Sequence, residues 1–208
     1  MKSIFFCMIC MAFTVQSCAQ TTQSSTKVGG SCEGCEALYE YGTKQLKAVD
    51  TLPDFFEKGP KLKVTGKIYQ EDGKTPAKGV ILYIYHTDQT GIYPAKGNEK
   101  GWAKRHGYLR GWIQTDADGK YAFFTLRPAS YPNSQNPQHI HAVIKEPHKN
   151  EYWIDEFQFD DDPYLTAAQR KHCQNRGGTG IKKTSFSGGL QVFTRDIILG
   201  LNIPHYDK

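Results

Sequence analysis

The chain has 208 residues, 38% of them hydrophobic and 23% charged, with 26 Lys and Arg against 21 Asp and Glu for a net charge of +5. That length supports one domain with a sizeable core. The positive excess is mild and dispersed, and the absence of a basic stripe excludes a nucleic-acid-binding face.

Residues 1–17 read as a secretory signal. Lys2 supplies the positive start, and Ile4 to Val15 is apolar apart from Thr14, a run too short for a spanning helix. Without Lys2 the net charge falls to +4. Cys18 follows Val15-Gln16-Ser17, which resembles a bacterial lipoprotein cleavage box. Lipidation of Cys18 is the expectation, with ordinary cleavage after Ala19 as the alternative. Gln20 to Lys27 is mostly Thr, Ser and Gln, a composition that cannot bury a core and suits a tether. The expected organisation is therefore a signal over 1–17, a lipidated Cys and tether over 18–30, and one exported domain over 31–208, held to a membrane through Cys18. Nothing in the sequence speaks to oligomeric state.

Cys32-Glu33-Gly34-Cys35 and Cys173 supply three further thiols. A second Cys pair for zinc is lacking, and the flanking Gly29-Gly30-Ser31 is not a βαβ context. In an oxidising compartment a structural disulfide is the better reading, with the pairing left open. Helical pattern is confined to Ala37–Lys47 and Leu165–Cys173.

The remaining elements read as strands. Lys61 to Tyr69 (KLKVTGKIY) alternates and runs into Glu71-Asp72-Gly73-Lys74, a hairpin-type turn. Val80 to Tyr85 (VILYIY) is apolar and β-branched or aromatic, as a buried strand should be. Gly111 to Thr115, the turn Asp116-Ala117-Asp118-Gly119 and Lys120 to Leu126 read as a second hairpin. The Asp-x-Asp-Gly resembles the start of a calcium loop, but Arg127 stands where the twelfth-position Glu belongs, so a tight turn is the better account. Ile140 to Ile144, Tyr152 to Phe159 and Leu190 to Ile198 complete the set. Strands at this spacing predict an all-β sandwich or barrel.

His139-Ile140-His141 puts two imidazoles on one face of a strand, because strand side chains alternate with period two. Such a pair is half of a metal site, and on its own it suits zinc or copper. Gly91-Ile92-Tyr93 follows the Val80 strand, and Pro128-Ala129-Ser130-Tyr131-Pro132 precedes Pro137-Gln138-His139.

These elements, together with the Gly111–Phe123 stretch and Asp161-Asp162-Pro163, resemble the intradiol ring-cleavage dioxygenases in one order over roughly residues 60–170. The resemblance implies an immunoglobulin-like or transthyretin-like antiparallel β-sandwich with long loops and one or two short helices. It implies Tyr93, Tyr131, His139 and His141 as ligands of a non-haem Fe(III), with Tyr93 and Tyr131 also taking part in catalysis. Tyr108 is the nearest competitor of Tyr93 among the 12 tyrosines. Tyrosine ionises near pH 10, and only a strongly charged cation would hold it as phenolate at neutral pH. Two phenolates and two imidazoles favour Fe(III), whereas non-haem Fe(II) oxygenases use two His and a carboxylate, and no carboxylate stands in this motif. The implied substrates are a catechol and O₂, and the implied product is a muconate-type diacid.

Two positions depart from the family pattern. Asn136 stands where an arginine usually helps hold the substrate, leaving Arg127, Arg105 or Arg110 as candidates to reach in. Glu156 falls near a usual glutamine. A non-catalytic sandwich module that binds another molecule and has kept a metal site is the competing expectation.

Overall fold

The structure is a computed structural model that describes residues 27–207. The expected signal peptide and Cys18 lie outside the described residues. The strands are β1 (Val49–Thr51), β2 (Lys61–Tyr69), β3 (Ile81–Tyr85), β4 (Arg110–Gln114), β5 (Lys120–Leu126), β6 (His139–Lys145), β7 (Tyr152–Phe159), β8 (Ile181–Lys182), β9 (Ser185–Ser187), β10 (Leu190–Thr194) and β11 (Ile197–Ile198). Two short helices, α1 (Ala103–His106) and α2 (Ala167–His172), and a 3₁₀ turn at Cys35–Tyr39 complete the fold. Among the described residues no helix is long and apolar enough to cross a membrane.

The strands form a β-sandwich. One sheet runs β1-β5-β2-β10-β9, with β11 also pairing β2, and the other runs β4-β3-β6-β7-β8. The expectation of an antiparallel sandwich holds at the centre of both sheets. At the edges, β1 on β5, β10 and β11 on β2, and β8 on β7 are parallel. Alternation sends Leu62, Val64 and Ile68 of β2 and Phe123 of β5 inward against Leu82, Ile84, Ile140, Ile144, Phe157 and Phe159 of the facing sheet. The outer face of the second sheet carries Tyr83, Trp112 and Val143, and the 3₁₀ turn covers them with Cys35, Ala37 and Leu38.

Neither expected hairpin extends into paired long strands, although the Asp72 turn closes one antiparallel bridge between Tyr69 and Pro76. β2 and β3 lie in different sheets, as do β4 and β5. The turns themselves are real. Asp72 Oδ1 accepts from the Lys74 and Thr75 amides at 2.8 Å each, and Asp116 Oδ1 accepts from those of Asp118 and Lys120 at 2.9 Å each. The local chemistry closes a turn, but the buried face of each strand decides which sheet it joins.

The long helix expected over 37–47 is only the 3₁₀ turn, closed below by a Cys32–Cys35 disulfide and followed by Gly42 at φ 60°. Among the described residues Cys173 is the free thiol. The helix expected over 165–173 is α2, started by a capping box of Thr166 and Gln169. The tether expected to reach residue 30 ends sooner. Val28 and Gly29 are buried, the Gly29 amide donates to Pro204 O at 2.7 Å, and the Val28 amide donates to Asn150 Oδ1 at 3.0 Å.

The expected last strand is broken at Arg195-Asp196. A Cβ on Gly66 of β2 would lie 1.9 Å from the Arg195 carbonyl oxygen, so only glycine admits this approach. The Asp196 carboxylate accepts the Lys67 amide at 2.9 Å, in place of a backbone partner. The break turns the Arg195 side chain inward, fully buried. Its guanidinium donates to the carbonyls of Asp155, Arg176 and Gly178 at 2.5, 3.1 and 2.8 Å. Arg195→Ala strands these carbonyls without donors. The expected outcome is a loss of about 3 kcal/mol in unfolding free energy, measured by urea denaturation.

Candidate metal centre

His139 and His141 lie on β6 and face outward from the second sheet, with Ile140 in the core between them. Tyr85 stands directly opposite His141 on β3, and the two rings stack at 4.4 Å. His106 of α1 stacks on the other face of Tyr85 at 3.8 Å, and its Nδ1 is 2.9 Å from the Tyr83 hydroxyl. This column fixes the plane of the His141 ring.

Tyr93 and Tyr131 arrive on two loops that are fastened to each other. The Thr87 hydroxyl donates to Ala129 O at 2.7 Å, and the Ala129 amide donates to Asp88 O at 3.1 Å. Asp88 Oδ1 accepts the amide and hydroxyl of Thr90 at 2.7 Å each. Gly91 sits at φ 81°, and a Cβ there would lie 2.0 Å from Ser130 O. The result brings the two phenol oxygens within 2.6 Å.

All four expected ligands meet. Tyr93 Oη lies 2.7 Å from His141 Nε2, and Tyr131 Oη lies 3.0 Å from His139 Nε2 and 3.3 Å from His141 Nε2. The two Nε2 atoms are 3.2 Å apart. A cation with bonds of about 2 Å holds tetrahedrally placed donors roughly 3.3 Å from each other, so the four atoms suit one ion. Tyr108 does not compete. Its ring carries Lys96 Nζ at 4.5 Å and borders a different cavity.

The far nitrogens decide which lone pairs are free. His139 Nδ1 donates to Pro137 O at 2.7 Å, and His141 Nδ1 lies 2.9 Å from the Glu156 carboxylate. Each Nδ1 carries its proton, so each Nε2 presents a lone pair to the centre. Glu156 reaches His141 because of an irregularity in β7. His139 pairs with Gln158 and Ile140 with Phe157, but Ala142 pairs with Ile154. Two residues, Asp155 and Glu156, thus stand opposite His141 alone, as in a β-bulge.

A carboxylate therefore stands beside the site, at the Glu156 position that the sequence marks as a departure from glutamine, and outside the Tyr and His motif. His139, His141 and Glu156 are the one group of three His, Cys, Asp or Glu among the described residues that could gather on an ion. That set would use His141 Nδ1, with His139 Nε2 at 3.9 Å from the carboxylate. The ring cannot give one ion both nitrogens, and the Nε2 atoms and phenol oxygens form the tighter group. Glu156 is better placed to orient His141 than to ligate.

Electrostatics agree. Burial would raise the Glu156 carboxyl, but the His141 hydrogen bond and the nearby His139 hold it down at about 2. Burial raises both the Tyr93 and Tyr131 phenols above their ordinary value, with the contact to Tyr131 adding to the shift of Tyr93. Burial lowers His139. Phenols raised in this way become phenolates at neutral pH only beside a strong cation.

A cavity of about 710 Å³ opens onto Tyr131, His139 and His141, with Asn136, Trp153 and Glu156 among its walls. None of the three candidate arginines reaches it. Arg127 binds Asp161 at 2.8 Å and Gln138 at 2.7 Å, Arg110 binds Glu40 at 2.5 Å, and Arg105 pairs with Glu33 at the rim. The Arg127 pairs serve β6 instead. Gln138 also donates its amide to Asp162 at 2.8 Å, which fixes the entry to the His strand. Tyr85, His106 and Glu156 are supporting residues that spacing alone does not find. Only the alternation of Ile81–Tyr85, placing Tyr85 on the outer face, hints at one of them.

Glu156→Leu removes the acceptor of His141 Nδ1. Metal affinity, read by competition with a chromophoric chelator, is expected to fall by about 10–100-fold, while Glu156→Gln keeps an acceptor and most of the affinity. Gly91→Ala forces the two tyrosine loops apart, and the same assay should show weaker binding with both histidines intact.

A dioxygenase family model matches residues 37–176. The chain is 28% identical over 113 residues to the protocatechuate 3,4-dioxygenase beta chain of Burkholderia cepacia, covering 51% of this chain and 48% of that protein. It is 28% identical over 144 residues to catechol 1,2-dioxygenase 2 of Acinetobacter lwoffii, covering 62% and 50%. The chain thus spans about half the length of these relatives. Among solved structures, the dioxygenase domain of a dioxygenase–carbohydrate-binding fusion from Streptomyces sp. SirexAA-E superimposes with a TM-score of 0.57 at 22% identity, over 77% of this chain and 94% of that one. Catechol 1,2-dioxygenase from Acinetobacter sp. ADP1 does so at 0.55 and 18%, over 74% and 58%. These structures share the β-sandwich, and with the family match over two-thirds of its length the chain belongs to the intradiol ring-cleavage dioxygenase family.

Proposed function

We propose that this protein is a non-haem Fe(III)-dependent dioxygenase that cleaves a catechol-type ring between its two hydroxylated carbons and places both atoms of O₂ in a muconate-type diacid. The observation that carries the reading is the convergence of Tyr93 Oη, Tyr131 Oη, His139 Nε2 and His141 Nε2, five of whose six separations lie at 2.6–3.3 Å. These four residues would hold the iron. When bound, it supplies Lewis acidity that draws electron density from a chelated catecholate and so opens the ring to O₂.

The chain's own residues do the rest. Tyr131 borders the cavity, so a diol entering there meets its oxygen first. A hydroxyl proton passes to Tyr131 Oη or across the 2.6 Å contact to Tyr93 Oη. Pro137 O and Glu156 hold both imidazoles in the ligating tautomer throughout. Trp153, Ala142 and Val143 give the ring an apolar wall.

We also propose that residues 1–17 direct export and that Cys18 carries a lipid anchor, on the strength of the apolar run and the Cys18 context. The competing reading, a binding module without turnover, draws on Asn136 and the absence of Lys and Arg from the described cavity wall.

The test is a visible spectrum with metal analysis. Iron-loaded protein should be red-brown from phenolate-to-Fe(III) charge transfer, and Tyr131→Phe should weaken and shift that band. Catechol under air should then consume O₂ in equal amount. A colourless protein with stoichiometric zinc sinks the proposal, and a spectral shift without O₂ uptake supports the binding module.

A further inference from the structure

Apart from Glu156, which orients His141, the charge of the cavity wall is not used by the reaction as proposed. Three carboxylates line the cavity, Glu33, Asp155 and Glu156, and among the described residues no Lys or Arg does. The bulge in β7 accounts for two of them, since it places Asp155 and Glu156 side by side opposite His141. Asp155 is tied down at both ends. Its carboxylate accepts the Asn175 amide at 2.7 Å, and its carbonyl accepts from buried Arg195. Glu33 shares its charge with Arg105 at the rim, where both side chains are largely exposed. Asn136, on the same wall, is neutral, and Arg127 and Arg110 are bound elsewhere.

A protein with a net charge of +5 thus lines this cavity with carboxylates and no Lys or Arg, while buried Arg176 and Arg195 stand behind Asp155. Walls of low polarizability focus such a field, and a like charge brought within several ångströms costs roughly tenfold or more in affinity. Arginine at the Asn136 position would offset the two carboxylates, and here it does not.

We propose that this cavity selects catechols by the charge of the ring substituent, preferring a cationic arm, accepting a neutral one and rejecting a carboxylate, with Asp155 as the specificity-determining residue. The inference rests on the reading of the site as a catechol dioxygenase. It concerns the arm of the substrate, not the diol.

The experiment is an anaerobic titration of the iron-loaded full chain, following the visible band, so that binding is read without turnover. The probes are 3,4-dihydroxyphenethylamine, 4-methylcatechol and 3,4-dihydroxyphenylacetate. The amine should bind tightest, and the carboxylate about tenfold or more weaker than the methyl compound. Raising salt to about 0.5 M should narrow the spread, as should Asp155→Asn, which keeps an oxygen for the Asn175 amide. The salt series needs no variant and stands alone if Asp155→Asn misfolds. A carboxylate that binds as tightly as the methyl compound overturns the proposal alone. A ratio unchanged in folded Asp155→Asn overturns the role of that residue. If none of the probes moves the band, the dioxygenase reading fails and takes this inference with it.

Discussion

One surplus residue in β7 governs the chemistry of the site. In a regular ladder a single residue would stand opposite His141, and alternation would send Asp155 or Glu156 toward the core. The bulge lets both remain on the outer face. Glu156 then claims the Nδ1 proton of His141, which leaves Nε2 as the only nitrogen free to meet the phenol oxygens. Without that hydrogen bond the imidazole could turn or change tautomer, and the four-atom cluster would lose a corner.

The tyrosines are held by the opposite strategy. They come from loops, which are mobile when left alone, but these two loops share hydrogen bonds and touch at Gly91 and Ser130 with no room for a side chain. Burial pushes both phenols upward, so without an ion they stay neutral and share a hydrogen bond at 2.6 Å. A cation at the point where the phenols and imidazoles converge would favour their ionised form.

Much of this was readable in the order of residues. The His-x-His pair, the Tyr-Pro turn and the Gly-x-Tyr loop are local patterns, and strand alternation is enough to say which way His139 and His141 face. Strands over 61–69, 120–126 and 152–159 fall where their patterns placed them. What could not be read was non-local. The turns at Asp72 and Asp116 have hairpin chemistry, yet each joins strands of opposite sheets, because burial of the facing residues outweighs the turn. The bulge has no signature in Asp155-Glu156 themselves. It is defined by pairing with β6, and Arg195, forty residues later, binds the Asp155 carbonyl within it. Glu156 could be noticed as a departure, but its partner could not be named. Arg127 looked available for substrate, and only its distance to Asp161 shows that it is taken.

The reach of Arg195 also sets an order of events in the life of the chain. Every residue proposed to ligate lies before position 142, but the guanidinium that pins the Asp155 carbonyl belongs to a segment paired in parallel with β2, well over a hundred residues upstream. Such distant contacts carry a larger loop-closure cost than local ones. A nascent chain that has emerged only as far as β7 holds all four ligands and lacks the clamp behind them. Full assembly of the four-ligand site and its supports therefore belongs to the finished polypeptide.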